Sequence, residues 1–391
     1  MQIDPKTLTG TWSYPTEIRF GPGRIAELAD ACAAVGMKAP LLVTDPGLKD
    51  LPMVQEALAA LRKAGLRAAM FADVQPNPLA ANVADGLAAY RQGGHDGIVA
   101  FGGGSAIDAG KAVALMAGQS RPLGDFEVIG DNWRRANAEG IAPTVAVPTT
   151  AGTGSEVGRA SVIADVAGGR KRIIFHPRMM PRIVIADPAL TLGLPSGLTA
   201  ATGMDALTHC LEAFFAPSFH PIADGVALGG IRLVWDWLPR ACADGTDLAA
   251  RAHMMVAASM GAAAFQKGLG AVHSVSHAVG ALYATHHGLT NAIVLPYVLA
   301  HNADVLGDKT RTLAQMLGLA KPGFDSFLKA VLKLRKTVKI PNSLSKIGVD
   351  VARAETIGAL AFDDPTRTGN PKPVTAEELK AIFLAAVRGT L

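Results

Sequence analysis

The sequence predicts an α/β amino-terminal half built on a parallel sheet and an all-helical carboxyl-terminal half. In the first half, short apolar runs alternate with segments of helical length, which is typical of parallel strands joined by helical crossovers. From Pro195 onward, long segments rich in Ala and Leu replace the strand pattern. Because 391 residues suffice for two domains, we place these at residues 1–194 and 195–391.

The elements of the first half follow one another in regular order. A continuous apolar run between turn residues, such as residues 39–44, is typical of a strand buried on both faces. Strands, the first together with its turn, are predicted at residues 16–23, 39–45, 66–71, 97–101, 144–148 and 182–187. Helices are predicted at residues 24–35, 52–64 and 79–91, with another opening at Ala106. In the tail, Thr375 and Glu378 predict a capping box at the start of the last helix.

A glycine-rich turn, Gly102-Gly103-Gly104-Ser105, joins a predicted strand to a predicted helix. Because glycine has no Cβ, the backbone can approach a pyrophosphate closely, and the N–H groups at a helix start attract its charge. The turn therefore predicts a phosphate cradle, and the first domain is expected to bind a dinucleotide. The turn matches neither Gly-x-Gly-x-x-Gly nor a Walker sequence, and tight packing alone is another reason for such glycines. Ser105 and Asp108 also have the spacing of a capping box.

Two further polar sites follow predicted strands. Asp45 ends the strand over residues 39–45, where an acid can accept hydrogen bonds from a ribose hydroxyl and would repel a 2′-phosphate. It therefore favours NAD over NADP, with a turn or helix-capping role as the alternative. After residues 144–148, small hydroxyl residues stand among glycines over residues 149–156 and could line a nucleotide site, or form an ordinary flexible loop.

Four of the ten histidines lie between residues 268 and 295. His273 and His277 are one helical turn apart, so on a helix their imidazoles project from the same face. His287 stands beside a glycine, at a place where one helix is expected to end and the next to begin. This segment can therefore offer several ring nitrogens to one site.

An earlier fragment supplies the remaining candidate ligands. Asp205 and His209 repeat the one-turn spacing. One carboxylate and three imidazoles together suit a divalent first-row metal such as iron or zinc. The fourth imidazole, His277, is then left over as a candidate catalytic residue. Local spacing does not show that segments over sixty residues apart meet, and a lone histidine on an apolar helix is more often a core residue.

Both fragments, together with the Pro148–Glu156 run, resemble the signature regions of the iron-containing (group III) alcohol dehydrogenases, over nearly the whole chain. The resemblance implies a dehydroquinate-synthase-like fold, with His277 near the nicotinamide as a proton relay or substrate-orienting group. The metal ligands it implies are Asp205, His209, His273 and His287. The cofactor-binding set given by the residues and the resemblance together is Asp45, Asn77, Gly102, Gly103, Gly104, Ser105, Asp108, Thr149, Thr150, Thr153, Ser155 and Lys171.

Some positions have alternatives or depart from the family. Asn77 could be a plain turn residue, and Lys171 an exposed lysine at a strand edge. Ala278 stands where the family usually has proline, and Tyr297 where a histidine is common. Neither is an implied ligand, so these two departures bear on substrate preference. The resemblance also implies a homodimer or a higher homo-oligomer.

Composition excludes some classes of function. The net charge of +4 is spread along the chain, with no basic cluster longer than Arg170-Lys171-Arg172, so no nucleic-acid partner is expected. The amino terminus lacks a signal-peptide pattern and no apolar run reaches about 20 residues, so we expect a cytoplasmic protein without a membrane partner. The three cysteines lack paired spacing, which fits a reducing compartment.

The function expected is the NAD-dependent oxidation of an alcohol, or the reduction of an aldehyde or ketone. A bound metal would act as Lewis acid on the substrate oxygen; iron(II) is the family's usual metal, and zinc fits the same donors. A hydroxyacid-oxoacid transhydrogenase and a dehydroquinate-synthase-like lyase are the alternatives among enzymes. A non-enzymatic metal-binding protein would leave the cofactor segments unexplained.

Overall fold

The computed structural model describes residues 10–12, 16–165 and 168–391. The chain divides into two compact units. The first comprises Met1–Thr150 and Gly154–Gly193, and the second comprises Ala151–Thr153 and Leu194–Leu391. The short stretch Ala151–Thr153 thus groups with the helical part of the chain although it lies between strands in sequence.

The first unit is built on a seven-stranded sheet and a separate two-stranded hairpin. Its strands are β1 (Gly10–Trp12), β2 (Glu17–Phe20), β3 (Pro40–Val43), β4 (Ala69–Phe71), β5 (Gly97–Gly102), β6 (Thr144–Pro148), β7 (Ala160–Asp165), β8 (Arg170–Phe175) and β9 (Ile183–Ala186). The sheet order is β1-β2-β9-β6-β5-β3-β4. Strand β1 pairs antiparallel with β2, and every other described pair in this sheet is parallel.

Helical crossovers join the parallel strands, as the sequence predicts. The helices are α1 (Leu28–Ala34), α2 (Pro52–Lys63), α3 (Ala80–Gln92) and α4 (Gly104–Met116). Strands β3, β5 and β6 are buried along their whole length, which explains their continuous apolar sequences. The predicted parallel sheet is therefore confirmed. The antiparallel β7–β8 hairpin was not predicted, because the half-exposed β8 sequence Arg-Lys-Arg-Ile-Ile-Phe lacks a continuous apolar run.

The second unit is helical over residues 194–391, all of which the structure describes. Its helices are α5 (Ser196–Phe215), α6 (Pro221–Ala243), α7 (Leu248–Ala264), α8 (Ala271–Tyr283), α9 (His287–His301), α10 (Gly307–Met316), α11 (Phe324–Thr337), α12 (Ala354–Asp363) and α13 (Ala376–Arg388). Every residue of α5 from Thr199 to Phe215 is buried, and α6, α7 and α9 pack around it. The capping box predicted at Thr375 and Glu378 is present at the start of α13.

One helical stretch, Leu248–Lys267, is long and apolar enough to cross a membrane by length and composition. The sequence expectation concerned an unbroken apolar run of about 20 residues, and this stretch is interrupted by Arg251 and ends in Lys267. Moreover, 61% of its most apolar 18-residue part is buried inside the protein. In addition, Arg251 within the stretch donates hydrogen bonds to Thr199 Oγ1 and to the Leu194 carbonyl. The core helix of a folded domain passes the same test, so the stretch is weak evidence for a membrane span.

Helix α8 ends in a residue whose backbone is strained. Ala284 caps this helix in the left-handed conformation, with φ 53° and ψ 32°, which costs a residue with a Cβ more than it costs glycine. We expect Ala284→Gly to raise the free energy of unfolding by about 0.5–1 kcal/mol, after allowing for the greater freedom of glycine in the unfolded chain.

Denaturant unfolding of the purified protein measures this difference. Ala281→Gly is the matched control, because Ala281 lies inside the same helix with ordinary helical backbone. There the substitution should lower stability by a similar amount, about 0.5–1 kcal/mol. Destabilisation of both variants would show that the Ala284 cap is not strained.

Candidate metal centre and nucleotide turn

Helix α5 carries the first two candidate ligands on a single buried face. Asp205 and His209 are one turn apart, and each is at most 4% exposed. Glycines allow the neighbouring helices to approach them. A Cβ on Gly261 of α7 would lie 3.1 Å from His209 Cβ, and one on Gly288 of α9 would lie 3.0 Å from Asp205 Cβ. The close packing of α7 and α9 against α5 therefore depends on glycine at these two positions.

The structure brings the four residues proposed as metal ligands together. One possible ligand atom from each of Asp205, His209, His273 and His287 lies within 4.8 Å of the others. The Nε2 atoms of His209 and His287 are each 3.9 Å from Asp205 Oδ1. In a tetrahedral site with bonds of about 2.0–2.1 Å, ligand atoms are separated by about 3.3–3.4 Å. The four side chains would therefore move closer together, by up to about 1.5 Å between ligand atoms, to hold a divalent ion.

The side-chain amide of Asn291 contacts three of these four residues. Its Nδ2 is 2.7 Å from Asp205 Oδ1, 3.2 Å from His273 Nε2 and 3.1 Å from His287 Nε2. Its Oδ1 is buried and has no hydrogen-bond partner among the described residues. Three atoms of the proposed ligands thus lie around one small region, which is compatible with a shared divalent cation. Asn291 was not predicted, although it lies one turn after His287 on α9.

Residues outside the cluster contact Nδ1 of His273 and of His287, so that the Nε2 atoms of these rings face the cluster. His273 Nδ1 is 2.5 Å from Glu212 Oε2, and Glu212 Oε1 accepts a 2.7 Å bond from the Val272 N–H. Ser276 Oγ is 3.4 Å from His287 Nδ1. A Cβ on Gly270 would lie 2.9 Å from Glu212 Oε1, so only glycine leaves room for this carboxylate. Such outer hydrogen bonds fix the ring orientation and the tautomer of a ligating histidine.

Glu212 was not identified from the sequence. The feature that could have identified it is its position: it lies seven residues after Asp205, on the same face of α5 two turns later. An acid that is 6% exposed on an otherwise apolar helix needs a buried partner, and here the partner is His273.

The electrostatics of the imidazoles differ from ring to ring. Burial lowers the pKa of His209 to about 4, against the opposing effect of Asp205. Its ring is therefore neutral at pH 7 and keeps a lone pair for a metal. Burial also acts to lower the pKa of His273, but the adjacent Glu212 carboxylate outweighs it and the pKa is raised. A metal at His273 would therefore compete with a proton.

His277 lies beside the four-residue cluster without belonging to it. Its ring centroid is 5.3 Å from that of His287 and 6.0 Å from that of His273. Its Nδ1 is 2.8 Å from Asp364 Oδ2. This position is compatible with a role in proton transfer next to a metal, and that role stays a prediction.

In the first unit, the glycine turn lies at the carboxyl ends of three parallel strands. Gly102 has a φ of 147° and ends β5, and α4 begins at Gly104 with Gly103 as its cap. A Cβ on Gly102 would lie 3.5 Å from Asp45 Oδ2, and one on Gly103 would lie 3.3 Å from Thr150 Cγ2. The turn thus brings together predicted cofactor residues that follow β3, β5 and β6, and its backbone is accessible only because Cβ atoms are missing.

Asp45 has the turn role that was the alternative to cofactor binding, and its binding to a ribose stays a prediction. Its Oδ1 accepts hydrogen bonds from the N–H groups of Gly47 at 2.9 Å and Leu48 at 3.2 Å, as in a turn. Burial raises the pKa of Asp45, and the two N–H groups partly oppose this. The structure shows Oδ2 facing Gly102, where it is free of the turn hydrogen bonds.

Asp108 and Ser155 bind each other. Ser155 Oγ donates to Asp108 Oδ1, and the Val162 N–H donates to Asp108 Oδ2 at 2.9 Å. The capping box expected from Ser105 and Asp108 is therefore wrong. The helix begins at Gly104, earlier than predicted, and no side chain caps it.

The remaining predicted cofactor residues fall in four places. Lys171 Nζ donates a 2.8 Å hydrogen bond to Asn77 Oδ1, and Asn77 has a φ of 54°. Thr149 is buried, and its N–H donates to the Gly102 carbonyl at 3.0 Å. Ser105 is in the first turn of α4, and Thr153 belongs to the stretch that groups with the second unit. Asn77 and Lys171, 94 residues apart in sequence, are thus brought together.

Comparison with known proteins gives the family. Residues 15–188 match the family model for iron-containing alcohol dehydrogenase, and residues 199–387 match the carboxyl-terminal model of the same family. The 4-hydroxybutyrate dehydrogenase of Cupriavidus necator is 41% identical over 95% of this chain and 98% of its own length. The 1,3-propanediol dehydrogenase of Klebsiella pneumoniae is 37% identical, covering 94% and 96%. A solved structure of 1,3-propanediol oxidoreductase superimposes with a TM-score of 0.89 at 36% identity, covering 94% and 97%.

The contact between Glu212 and His273 predicts how metal affinity depends on an outer residue. Replacing Glu212 with Gln removes the charge while keeping the size, so it weakens the hold on the His273 ring. We expect Glu212→Gln to lower the affinity for a divalent metal about 10- to 100-fold. Competition of the apoprotein against a chromophoric chelator measures this, with zinc and, under anaerobic conditions, iron(II).

Glu355→Gln is the matched control. Glu355 is 81% exposed and pairs with Lys380 at the surface, so this change should leave metal affinity as in the unchanged protein. Equal affinities for both variants would remove Glu212 from the metal centre.

Proposed function

The chain belongs to the iron-containing alcohol dehydrogenase family, and we propose that Asp205, His209, His273 and His287 form its metal site. The protein is a metal-dependent oxidoreductase acting on CH–OH groups. The observation that carries the site is the convergence of one carboxylate and three imidazoles, from three helices, within 4.8 Å. Iron(II) is the metal proposed, and zinc suits the same donors. The names of the relatives favour a dehydrogenase over the transhydrogenase and the lyase that the sequence left open.

The chemistry divides between the bound groups and the chain. A divalent ion held by these four side chains would act as a Lewis acid that lowers the pKa of an alcohol, and NAD would accept the hydride. The chain itself provides orientation and proton transfer. We assign proton transfer to His277, because its ring stacks on that of His287 without sharing the cluster.

The glycine turn and its neighbours are proposed to bind NAD. The N–H groups at the start of α4 would receive the pyrophosphate, since Gly102 and Gly103 leave the backbone open. Asp45 Oδ2 would accept hydrogen bonds from the ribose and disfavour a 2′-phosphate. Thr150, Asn77 and Lys171 would contribute polar contacts to the same cofactor. Under this proposal, the first unit is the NAD-binding domain and the second is the catalytic domain.

The relatives indicate the class of substrate. Their names specify a hydroxy acid, a diol and, in a relative from Bacillus methanolicus that is 33% identical over 94% of this chain and 97% of its own length, methanol. We therefore propose short primary alcohols, including diols and ω-hydroxy acids, as substrates. In the reverse direction, the corresponding aldehydes would be reduced.

A cytoplasmic homodimer is also proposed. The three cysteines are free in the described part of the chain, which supports a reducing compartment. Burial raises the pKa of Cys32 and of Cys210 to about 12, so both remain thiols at neutral pH. The dimer rests on the family resemblance, and light scattering of the purified protein tests it.

The first test of this function is metal removal. The protein is purified anaerobically, and NADH formation is followed with a panel of short alcohols, diols and ω-hydroxy acids. Chelation should lower kcat about 1,000-fold or more, because a Lewis acid contributes several kcal/mol to such a reaction. Returning iron or zinc should restore the activity and identify the metal.

Protein treated with a chelator already saturated with the same metal is the control. A chelated protein that is shown by metal analysis to be free of iron and zinc, yet still reduces NAD at the original rate, would contradict the metal site.

The carboxylate of Asp45 predicts the choice of cofactor. Asp45→Asn keeps an oxygen for the Gly47 and Leu48 N–H groups but removes the charge, so the turn should survive. We expect the preference for NAD over NADP, as the ratio of kcat/KM values, to fall about tenfold or more, because like charges in contact cost several kcal/mol. Asp50→Asn, at an exposed acid nearby, is the control and should keep the original ratio. An unchanged ratio in Asp45→Asn would assign this carboxylate to the turn alone.

A further inference from the structure

We propose that Asp364 is the positioning residue for His277: its carboxylate fixes the His277 ring and holds the ring proton on Nδ1, so that Nε2 exchanges the substrate proton. The proposal rests on the function assigned to His277 above. It concerns a carboxylate that was not recognised in the sequence and that lies 87 residues from His277.

The contact between the two side chains is short and enclosed. His277 Nδ1 is 2.8 Å from Asp364 Oδ2, and the side chains are 6% and 7% exposed. His277 lies in the middle of α8, while Asp364 directly follows α12 and precedes the 3-10 turn Pro365–Gly369. The pair therefore ties the catalytic helix to a separate part of the second unit.

The carboxylate is itself held in place from its other side. Asp364 Oδ1 accepts a 2.9 Å hydrogen bond from the Thr366 N–H and a 2.5 Å bond from the Thr366 hydroxyl. With Oδ1 engaged, Oδ2 is fixed in the direction of the imidazole. Although burial opposes ionisation, His277 and Thr366 outweigh it and lower the pKa of Asp364. The group is thus an anion at neutral pH.

An ionised carboxylate can only accept hydrogen bonds, so the ring nitrogen facing it must carry the proton. A neutral His277 is then protonated on Nδ1 and has its lone pair on Nε2. No residue that the structure describes donates to this Nε2. When the substrate O–H bond breaks, Nε2 can take the proton, and the Asp364 carboxylate stabilises the resulting imidazolium. The proton leaves Nε2 for water at the end of the cycle.

A purely structural role is the competing explanation, because Asp364 also caps the Pro365–Gly369 turn. Asp364→Asn separates the two roles. The amide oxygen can still accept from Thr366, so the cap is kept, but the amide N–H₂ group then faces Nδ1. To avoid two donors in contact, the ring must move its proton to Nε2, which removes the base from the reacting side.

The kinetic test is a double-mutant cycle with His277→Ala. We expect Asp364→Asn to lower kcat about 100-fold or more, in the range of general acid–base contributions, with KM for the alcohol changed less than about threefold. In the His277→Ala background, the same substitution should cause no further loss. Asp363→Asn, at the exposed neighbouring acid, is the matched control and should retain the original kcat.

A second measurement does not depend on activity. Ring ¹⁵N chemical shifts of histidine-labelled apoprotein report which nitrogen carries the proton, and the His277 signals are those lost in His277→Ala. We expect the Nδ1–H tautomer in the unchanged protein and the Nε2–H tautomer in Asp364→Asn, with both proteins melting at closely similar temperatures.

The proposal would be overturned by an equal loss of kcat in both backgrounds, by a kcat within about threefold of the original, or by the same tautomer in both proteins. Failure of the dehydrogenase function itself is distinguishable. It would appear as no NADH from the unchanged, metal-loaded protein, while the ¹⁵N shifts would still decide whether Asp364 sets the tautomer.

Discussion

A buried carboxylate among imidazoles is the constraint on which the second unit depends. Asp205 is 1% exposed on a helix that is surrounded by protein, and an ionised acid in such a place is costly unless it is paired. Around it stand the Asn291 amide and three rings, of which His209 is held neutral by its low pKa. Glu212 adds a second acid two turns away. A divalent cation balances two carboxylates, so the charge of the site and its geometry favour the same occupant.

The packing of α5 follows from the need to bring these groups together. Gly203, Gly261 and Gly288 each stand where a Cβ would meet a neighbour at 3.1 Å or less. At the end of the helix, Lys267 and Lys309 both donate to the Phe214 carbonyl, at 3.3 and 2.6 Å. These ammonium groups donate to a carbonyl that has no partner within the helix. Their positive charges also interact favourably with the negative end of the helix dipole. The carboxyl end of this buried helix, which carries two of the proposed ligands, thus contacts positive charges from two other segments.

The sequence predicted the features that follow from the spacing of residues within one helix or one strand. One-turn spacing placed Asp205 with His209, and a glycine run after an apolar strand marked the turn at Gly102. The same reasoning succeeded for the cap at Thr375 and failed for Ser105, because Asp108 is drawn to Ser155 and Val162, 47 and 54 residues away. Asp364 was missed for the same reason, since only tertiary packing brings it to His277, 87 residues away. Asn291 and Glu212 were also missed, although each lies one or two helical turns after a candidate ligand. The division into two halves was visible because strand and helix patterns differ in period.

Two carboxylate–imidazole pairs lie one turn apart on α8, and comparing them explains how similar chemistry can serve two purposes. In each pair a carboxylate from elsewhere in the unit meets Nδ1, at 2.5 Å for His273 and 2.8 Å for His277. In each ring, Nε2 is therefore the nitrogen that is available to bind a metal or to exchange a proton. The difference lies in what Nε2 faces: that of His273 is 3.2 Å from Asn291 Nδ2, which also contacts Asp205 and His287, whereas His277 lies outside the four-residue set. Position relative to Asp205, rather than the chemistry of the pair, thus distinguishes the proposed metal ligand His273 from the proposed proton carrier His277.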